Sequence, residues 1–500
     1  MLGYETNDAT SLAGLVASGE VTPHELLDAA LERVSALNPA LCAVTLLRED
    51  VARRAIDAGL PDGPFRGVPF LLKDLGAEAV DFPSHNGSNL LRNTRYARDS
   101  ALYERIRATG LVTFGRTTSP EGGIGPTTES AVYGAPTRNP WNLERTSGGS
   151  SGGAGAVVAA GIVPMAHGSD GGGSVRIPAS SCGLFGFKAT RGRFPDGPDA
   201  GEGWAGMAID GFLSRSVRDN ATIMDACAGP DLGAPYYAPP LRKGYAAAIL
   251  RPPKRLRVAL STTRFSGEAV DPSCRLAAEE AGALLESLGH HVELARPAAD
   301  HAGMMRAWTR IVACGTALWI SKRLGALGRD LAPGDVEGVS RGAIAYAAQI
   351  SGADYLDAVG KIHAYGREMA AFMARWDVVV SPTLAEPPAR IGRFAHATED
   401  YEAYRIGPDG VFAYSPYCAV FNASGQPAAS LPLHWTDDGL PVGVHLGAAF
   451  GEDEMLISLC RELELAQPWF DRRPPNRLGA LAKPSVQRPA SDKVRGEQNG

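Results

Sequence analysis

The chain has no CxxC pair, and its seven cysteines, Cys42, Cys182, Cys227, Cys274, Cys314, Cys418 and Cys460, are an odd number at wide intervals. That spacing excludes the usual structural zinc motifs and a disulfide framework, and it predicts reduced thiols in a cytosolic compartment. There is no basic surplus either. A net charge of -6 offers no broad cationic face, so nucleic acid and membrane partners are not expected. No apolar run reaches the ~20 residues that a membrane span requires. The opening stretch MLGYETNDATSLAGLVASGE lacks the basic and apolar regions of a secretory signal. Small molecules are the remaining class of partner.

With 44% hydrophobic and 21% charged residues, the composition is that of a globular protein. Thr22-Pro23-His24-Glu25 reads as a capping box with proline at the first helical position, and Asn38-Pro39 is expected to end that helix. Val68–Leu72 reads as a buried strand, Ala101–Ala108 as a helix stopped before Gly110, and Leu111–Phe114 as the next strand. Leu256–Leu260 and Val378–Val380 are further strands, with a helix from Ser273 to Leu288 after the first. Asp437-Asp438-Gly439 between apolar segments 428–433 and 441–446 signals a hairpin. The alternation predicts an α/β fold, expected as one domain over residues 1–471. From 472 to 500 seven Lys/Arg stand against two Asp/Glu among prolines and glycines, which predicts a disordered, solvated basic tail.

Residues 148–174 hold ten glycines in 27 positions. A phosphate-binding loop would need Gly-Lys-Ser/Thr after them, and a dinucleotide fingerprint would need an apolar strand before Gly148; neither is present. Gly149-Ser150-Ser151-Gly152-Gly153 fits the GxSxG elbow of an esterase with Ser151 as nucleophile, although Trp141–Ser147 is too polar for the strand that should precede it. A third chemistry joins serines to a lysine. Lys73 follows the apolar run Val68-Pro69-Phe70-Leu71-Leu72, which would carry its amine indoors and depress its pKa; the bland alternative is a surface pair with Asp74. Gly171-Gly172-Gly173 before Ser174 offers consecutive backbone amides able to converge on an oxyanion, or else mere turn glycines.

Together, Gly148-Gly149-Ser150-Ser151-Gly152-Gly153 and Gly168-Ser169-Asp170-Gly171-Gly172-Gly173-Ser174-Val175-Arg176-Ile177-Pro178 resemble the amidase signature. Gly67–Asp74, Gly183–Gly192 and Asn422–Gly443 resemble that family's other blocks, so the likeness runs from about residue 5 to 470. It implies a central mixed, mostly parallel sheet covered by helices on both faces. It further implies Ser174 as acyl-forming nucleophile, Ser150, with a cis peptide, as proton relay, and Lys73 as base. The backbone amides of Gly171, Gly172, Gly173 and Ser174 would form the oxyanion hole, and Asp170 and Arg176 would brace the loop. No metal or cofactor is implied; the partners are a small amide and water, with a homodimer as the family-level assembly.

The segment Ala166–Ser180 looks closest to the branch containing 6-aminohexanoate-cyclic-dimer hydrolases and aryl acylamidases, whose chemistry extends to xenobiotic, aryl, linear or cyclic amides and is compatible with carbamates. Ile124, Trp204, Cys314 and Tyr414 are expected at the substrate pocket, in segments that also hold Phe82, His85, Met207 and Cys418. A rival within the family is the A subunit of a tRNA-dependent amidotransferase. That subunit usually carries glutamine after the arginine, where this chain has Ile177.

Overall fold

Burial at every residue of Pro69–Lys73, Val112–Thr117, Phe185–Lys188, Val378–Pro382 and Pro441–Ala448 means that these strands are covered on both faces. The computed structural model, which describes residues 3–475, places them in one eleven-stranded sheet. From edge to edge its strands are Val44–Leu47, Val112–Thr117, Pro69–Lys73, Met165–Asp170, Ile209–Ser214, Phe185–Lys188, Ala428–Trp435, Pro441–Ala448, Val378–Pro382, Arg257–Leu260 and His291–Leu294. Helical crossovers give parallel pairs on the two flanks. The centre is antiparallel, because hairpin-like returns such as 428–448 fill it. The α/β class and the mixed sheet are as expected; parallel pairs are four of the ten in the main sheet and lie on the flanks.

The capping box forms: Thr22 Oγ1 accepts from the Glu25 amide at 3.2 Å and the Thr22 amide donates to Glu25 Oε2 at 2.8 Å. The helix runs from Pro23 to Leu41, past the expected stop at Asn38-Pro39. Pro39 falls in the last turn, where its missing N–H costs one carbonyl its partner and leaves the rest of the helix intact. Termination comes from Cys42 in a left-handed conformation and from Asn38, whose Oδ1 accepts the amides of Ala43 and Val44 at 2.8 Å each. Other elements match the sequence reading to within a few residues, including the helices Ala101–Ala108 and Pro272–Ser287 and the 428–448 hairpin.

The glycines of 148–174 serve close packing. In the helix Gly152–Ala159, buried at every residue, a Cβ on Gly153 would stand 2.5 Å from the Thr118 amide nitrogen, and one on Gly152 2.3 Å from Thr128 Oγ1. This helix therefore lies against the loop after Val112–Thr117 at a distance only glycine permits. Near the chain's end, Arg472 stacks on the Trp435 ring at 4.3 Å and Arg473 donates to the Glu5 carbonyl at 3.2 Å, so ordered packing runs past the expected boundary at 471. The rest of the expected tail, 476–500, lies outside the described residues. Among the described residues no helix is long and apolar enough to cross a membrane.

Overpacking at the helix contact has a measurable cost. Gly153→Ala is expected to destabilise the protein by about 1–3 kcal/mol, seen as a lower denaturation midpoint at unchanged m-value in urea.

Candidate active site

Lys73 ends its strand, and the neighbouring strand Met165–Asp170 runs parallel to it, so the two C-terminal ends open side by side. Lys73 Nζ lies 2.6 Å from Ser150 Oγ and 2.9 Å from Ser169 Oγ, with no solvent exposure. Its main chain is pinned on both sides: the amide donates to His167 Nδ1 at 3.2 Å, and the carbonyl accepts from Arg116. Because His167 Nδ1 accepts, its proton sits on Nε2 and points to Asp210 Oδ1, 3.0 Å away. The alternative pairing of Lys73 with Asp74 does not form. Asp74 is taken up by the His85 amide at 2.9 Å, the Tyr133 hydroxyl at 2.7 Å and the Gly87 amide at 3.3 Å, with the His85 ring nitrogen Nδ1 2.9 Å away but outside hydrogen-bond geometry. Burial pulls the Lys73 pKa down to about 7, against the opposing charges of Asp210, Asp170 and Asp74. Near neutral pH a large share of this amine is unprotonated.

The Gly149–Ser150 peptide is cis, and the Ser151 amide donates to the Ser174 carbonyl at 3.2 Å, joining the two glycine-rich loops. Ser174 is almost fully buried and faces a small cavity. Of the four amides expected to receive an oxyanion, Gly173 is already engaged: it donates to Asp170 Oδ1 at 2.8 Å. That removes Gly173 from the set. The amides of Gly171, Gly172 and Ser174 donate to no protein acceptor among the described residues. The absence of side chains here is obligatory, since a Cβ on Gly171 would stand 2.4 Å from the Trp204 ring and Gly173 has φ +123°.

Asp170 and Arg176 form the expected brace, at 2.8 Å (Nη2–Oδ1) and 3.0 Å (Nε–Oδ2). Two residues outside the loop complete it. Asn422 donates to the Asp170 carbonyl at 2.8 Å and accepts from Arg176 Nη2 at 2.7 Å, and His445 Nε2 accepts from Arg176 Nη1 at 2.9 Å. Burial would raise the Asp170 pKa, but the charge and hydrogen bonds of Arg176, with Asn422, hold it well below the usual carboxylate range. Burial and the same arginine push His445 far down, which keeps it neutral and able to accept.

The family model described as Amidase matches residues 25–457. The chain belongs to the amidase signature family. It is an amide C–N hydrolase. The 6-aminohexanoate-cyclic-dimer hydrolase of Paenarthrobacter ureafaciens is 39% identical over 493 residues, covering 97% of this chain and 98% of its own. The acylamidase of Rhodococcus erythropolis is 35% identical, covering 94% and 97%. A solved 6-aminohexanoate cyclic dimer hydrolase complexed with substrate superposes with a TM-score of 0.87 at 36% identity, covering 95% of this chain and 99% of that one.

In this amidase the cavity beside Ser174 has a volume of about 20 Å³. Of the four expected pocket residues, Trp204 lines it, with its ring edge-on to Trp308 at 5.5 Å. The other three do not. Ile124 turns into a cluster with Val339 and Leu384, and Tyr414 is fully buried with its hydroxyl accepting from the Ala389 amide at 3.2 Å. Cys314 sits six positions beyond Trp308 on the helix His301–Leu327, which rotates it about 120° away. Phe82 packs in the main core, His85 serves Asp74, and Met207 and Cys418 are buried behind the loop.

The sequence reading missed Ser169, His167 and Asp210 around Lys73, and Trp308, Arg405, Phe412 and Ser415 around the cavity. Ser169 stands in the signature block and His167 immediately before it, and the parallel alignment of two adjacent strands could have placed them. The cavity residues come from segments without a motif.

The buried brace sets the acid sensitivity of the amidase. Its folded-state pKa lies below the unfolded value of about 3.9, so Asp170 contributes its full stabilisation above that pH and loses it as pH falls toward the folded value. Asp170→Asn leaves Arg176 without its counter-charge and is expected to cost about 3–5 kcal/mol, measurable by denaturant titration at pH 7.

Proposed function

We propose that the chain hydrolyses small amides through a covalent acyl-enzyme, with Ser174 as nucleophile, Ser150 as proton relay and Lys73 as base. The observation that carries this reading is the 2.6 Å approach of a buried lysine amine, with its pKa brought to about 7, to the Ser150 hydroxyl. A base poised near the working pH is what acyl transfer by a weakly acidic hydroxyl asks for.

In the first half-reaction the free amine of Lys73 takes the Ser150 proton as Ser150 takes that of Ser174. The Ser174 oxygen attacks the amide carbonyl, and the free amides of Gly171, Gly172 and Ser174 receive the oxyanion. The proton returns through Ser150 to the leaving nitrogen as the C–N bond breaks, and the amine departs. In the second half-reaction water gives its proton to the same relay and attacks the ester, and the carboxylic acid leaves with Ser174 restored.

The cyclic-dimer hydrolase and acylamidase relatives point to cyclic and acyl amides as substrates, and we extend the proposal to aryl and linear amides, with carbamates as chemical neighbours. The esterase reading through Ser151 loses support from geometry. Its hydroxyl is buried, accepts from the Ser169 amide at 3.2 Å and donates to the Ser169 carbonyl at 3.3 Å, with no histidine beside it. The strand Asn142–Thr146 before it pairs with Arg138–Asn139 in a separate ribbon, with one further bridge from Arg145 to Arg390, and does not join the main sheet. Ile177, in place of the usual glutamine, packs against the cavity and argues against the amidotransferase subunit.

The test is turnover of an anilide, a linear aminohexanoate oligomer, its cyclic dimer and a small urethane. Wild type is expected to release amine, Ser174→Ala and Lys73→Ala to release none, and Ser151→Ala to remain active; turnover by Ser174→Ala would sink the assignment. The sign of the Lys73 shift predicts that kcat/KM rises with pH through a limb near 7, below which the amine is an ammonium unable to take the proton. Acid-quenched steady-state protein should carry the acyl group on Ser174 by mass spectrometry.

A further inference from the structure

Three arginines rank among the largest fully buried side chains: Arg116, Arg176 and Arg405. The first donates to the carbonyls of Lys73, Gly76, Ala77 and Phe82, and the second to Asp170, Asn422 and His445. Arg405 differs. It lies in the last turn of the short helix Tyr401–Ile406, and its Nε and Nη2 are buried with no acceptor among the described residues. It forms no ion pair with any carboxylate there. Its guanidinium carbon stands 5.1 Å from the ring centre of Trp308, 5.2 Å from Tyr401 and 5.4 Å from Tyr404. These rings offset part of the cost of burying a cation, but they satisfy none of its N–H donors in the plane of the fork.

The unpartnered fork lines the same cavity as Ser174. Two other donors, without hydrogen-bond partners among the described residues, lie at or beside it. Ser415 Oγ, which also lines the cavity, is one. The Tyr404 hydroxyl is the other, 2.6 Å from where a Cβ on the cavity-lining Gly125 would stand. A planar cation with neighbouring hydroxyls is the geometry that receives a carboxylate through paired hydrogen bonds.

We infer that Arg405 is a specificity-determining residue that binds a carboxylate carried by the substrate, so that this enzyme selects anionic amides, either monoamides of dicarboxylic acids or N-acyl amino acids. The inference rests on the reading of Ser174 as the site of acyl transfer. The missing counter-charge of Arg405 is supplied by the molecule being cleaved, which seats its amide carbonyl at Ser174.

Two matched substrate pairs test it. Glutaryl p-nitroanilide against valeryl p-nitroanilide places the charge on the acyl side; N-butyryl-aminobenzoate against N-butyryl-toluidine places it on the amine side. Wild type is expected to favour the anionic member of one pair in kcat/KM by about 10-fold or more, the size of a charge-assisted hydrogen bond, mainly through KM. That ratio should collapse in Arg405→Met and survive in part in Arg405→Lys, and the responding pair identifies the side that bears the carboxylate. An anionic-to-neutral ratio that is the same in wild type and both variants overturns the proposal.

Failure of the catalytic reading looks different, as turnover that persists in Ser174→Ala or is absent from wild type. Glutarate binding to the Ser174→Ala protein, measured by calorimetry against pentanediol, then decides Arg405 without any turnover and without an Arg405 variant that must fold. Tighter binding of glutarate by about 10-fold or more supports the carboxylate site; equal binding of the two overturns it.

Discussion

An amine kept out of water, with hydroxyls for neighbours and no carboxylate in contact, is the arrangement on which the rest of this site depends. Three acids stand near enough to pull its pKa upward: Asp210, Asp170 and Asp74. Each has been given another partner. His167 takes Asp210, Arg176 takes Asp170, and Tyr133 with His85 takes Asp74. A carboxylate released from any of these engagements would push the Lys73 pKa back up, because an opposite charge at close range favours the ammonium form. The diversion of carboxylates is therefore as much a part of the lowered Lys73 pKa as burial is.

The same economy of partners explains the loop before Ser174. Asp170 is saturated from two directions, by the guanidinium of Arg176 and by the amide of Gly173, and this fixes the turn in which the amides of Gly171, Gly172 and Ser174 have no acceptor among the described residues, with Gly172 and Ser174 lining the cavity. Asn422 and His445 reach the brace from the far end of the chain, after the crossovers that build the sheet. Residues more than two hundred positions apart are thereby tied to one turn, and its geometry becomes a property of the whole fold. Trp204 and Trp308 close over the glycines from the other side, at distances that would not admit a methyl group on Gly171.

How much of this was legible in the sequence depended on whether the information was local. The capping box at Thr22, the hairpin at 428–448 and the burial of Lys73 follow from patterns a few residues long, and each is found in the structure. The helix end at Pro39 was misplaced because the decisive hydrogen bonds belong to the Asn38 side chain, which competes with the proline for the same boundary. The occupation of the Gly173 amide could not be read, since it depends on where the Asp170 side chain turns. Trp308, Phe412 and Arg405 reach the cavity from long or short helices with no motif, placed by packing between segments far apart in the chain. Ile124 and Tyr414 stand beside cavity residues in sequence, at Gly123, Gly125 and Ser415, yet one step along the backbone directs a side chain to the opposite side.

The cavity beside Ser174, at about 20 Å³, has room for roughly one water molecule. No amide with substituents on both sides enters such a space while Trp204, Trp308 and Phe412 hold their positions. Smaller side chains at these positions would widen the space beside Ser174 and admit more water to it. Room for a larger molecule and exclusion of water are in this way set against each other by a single set of aromatic side chains.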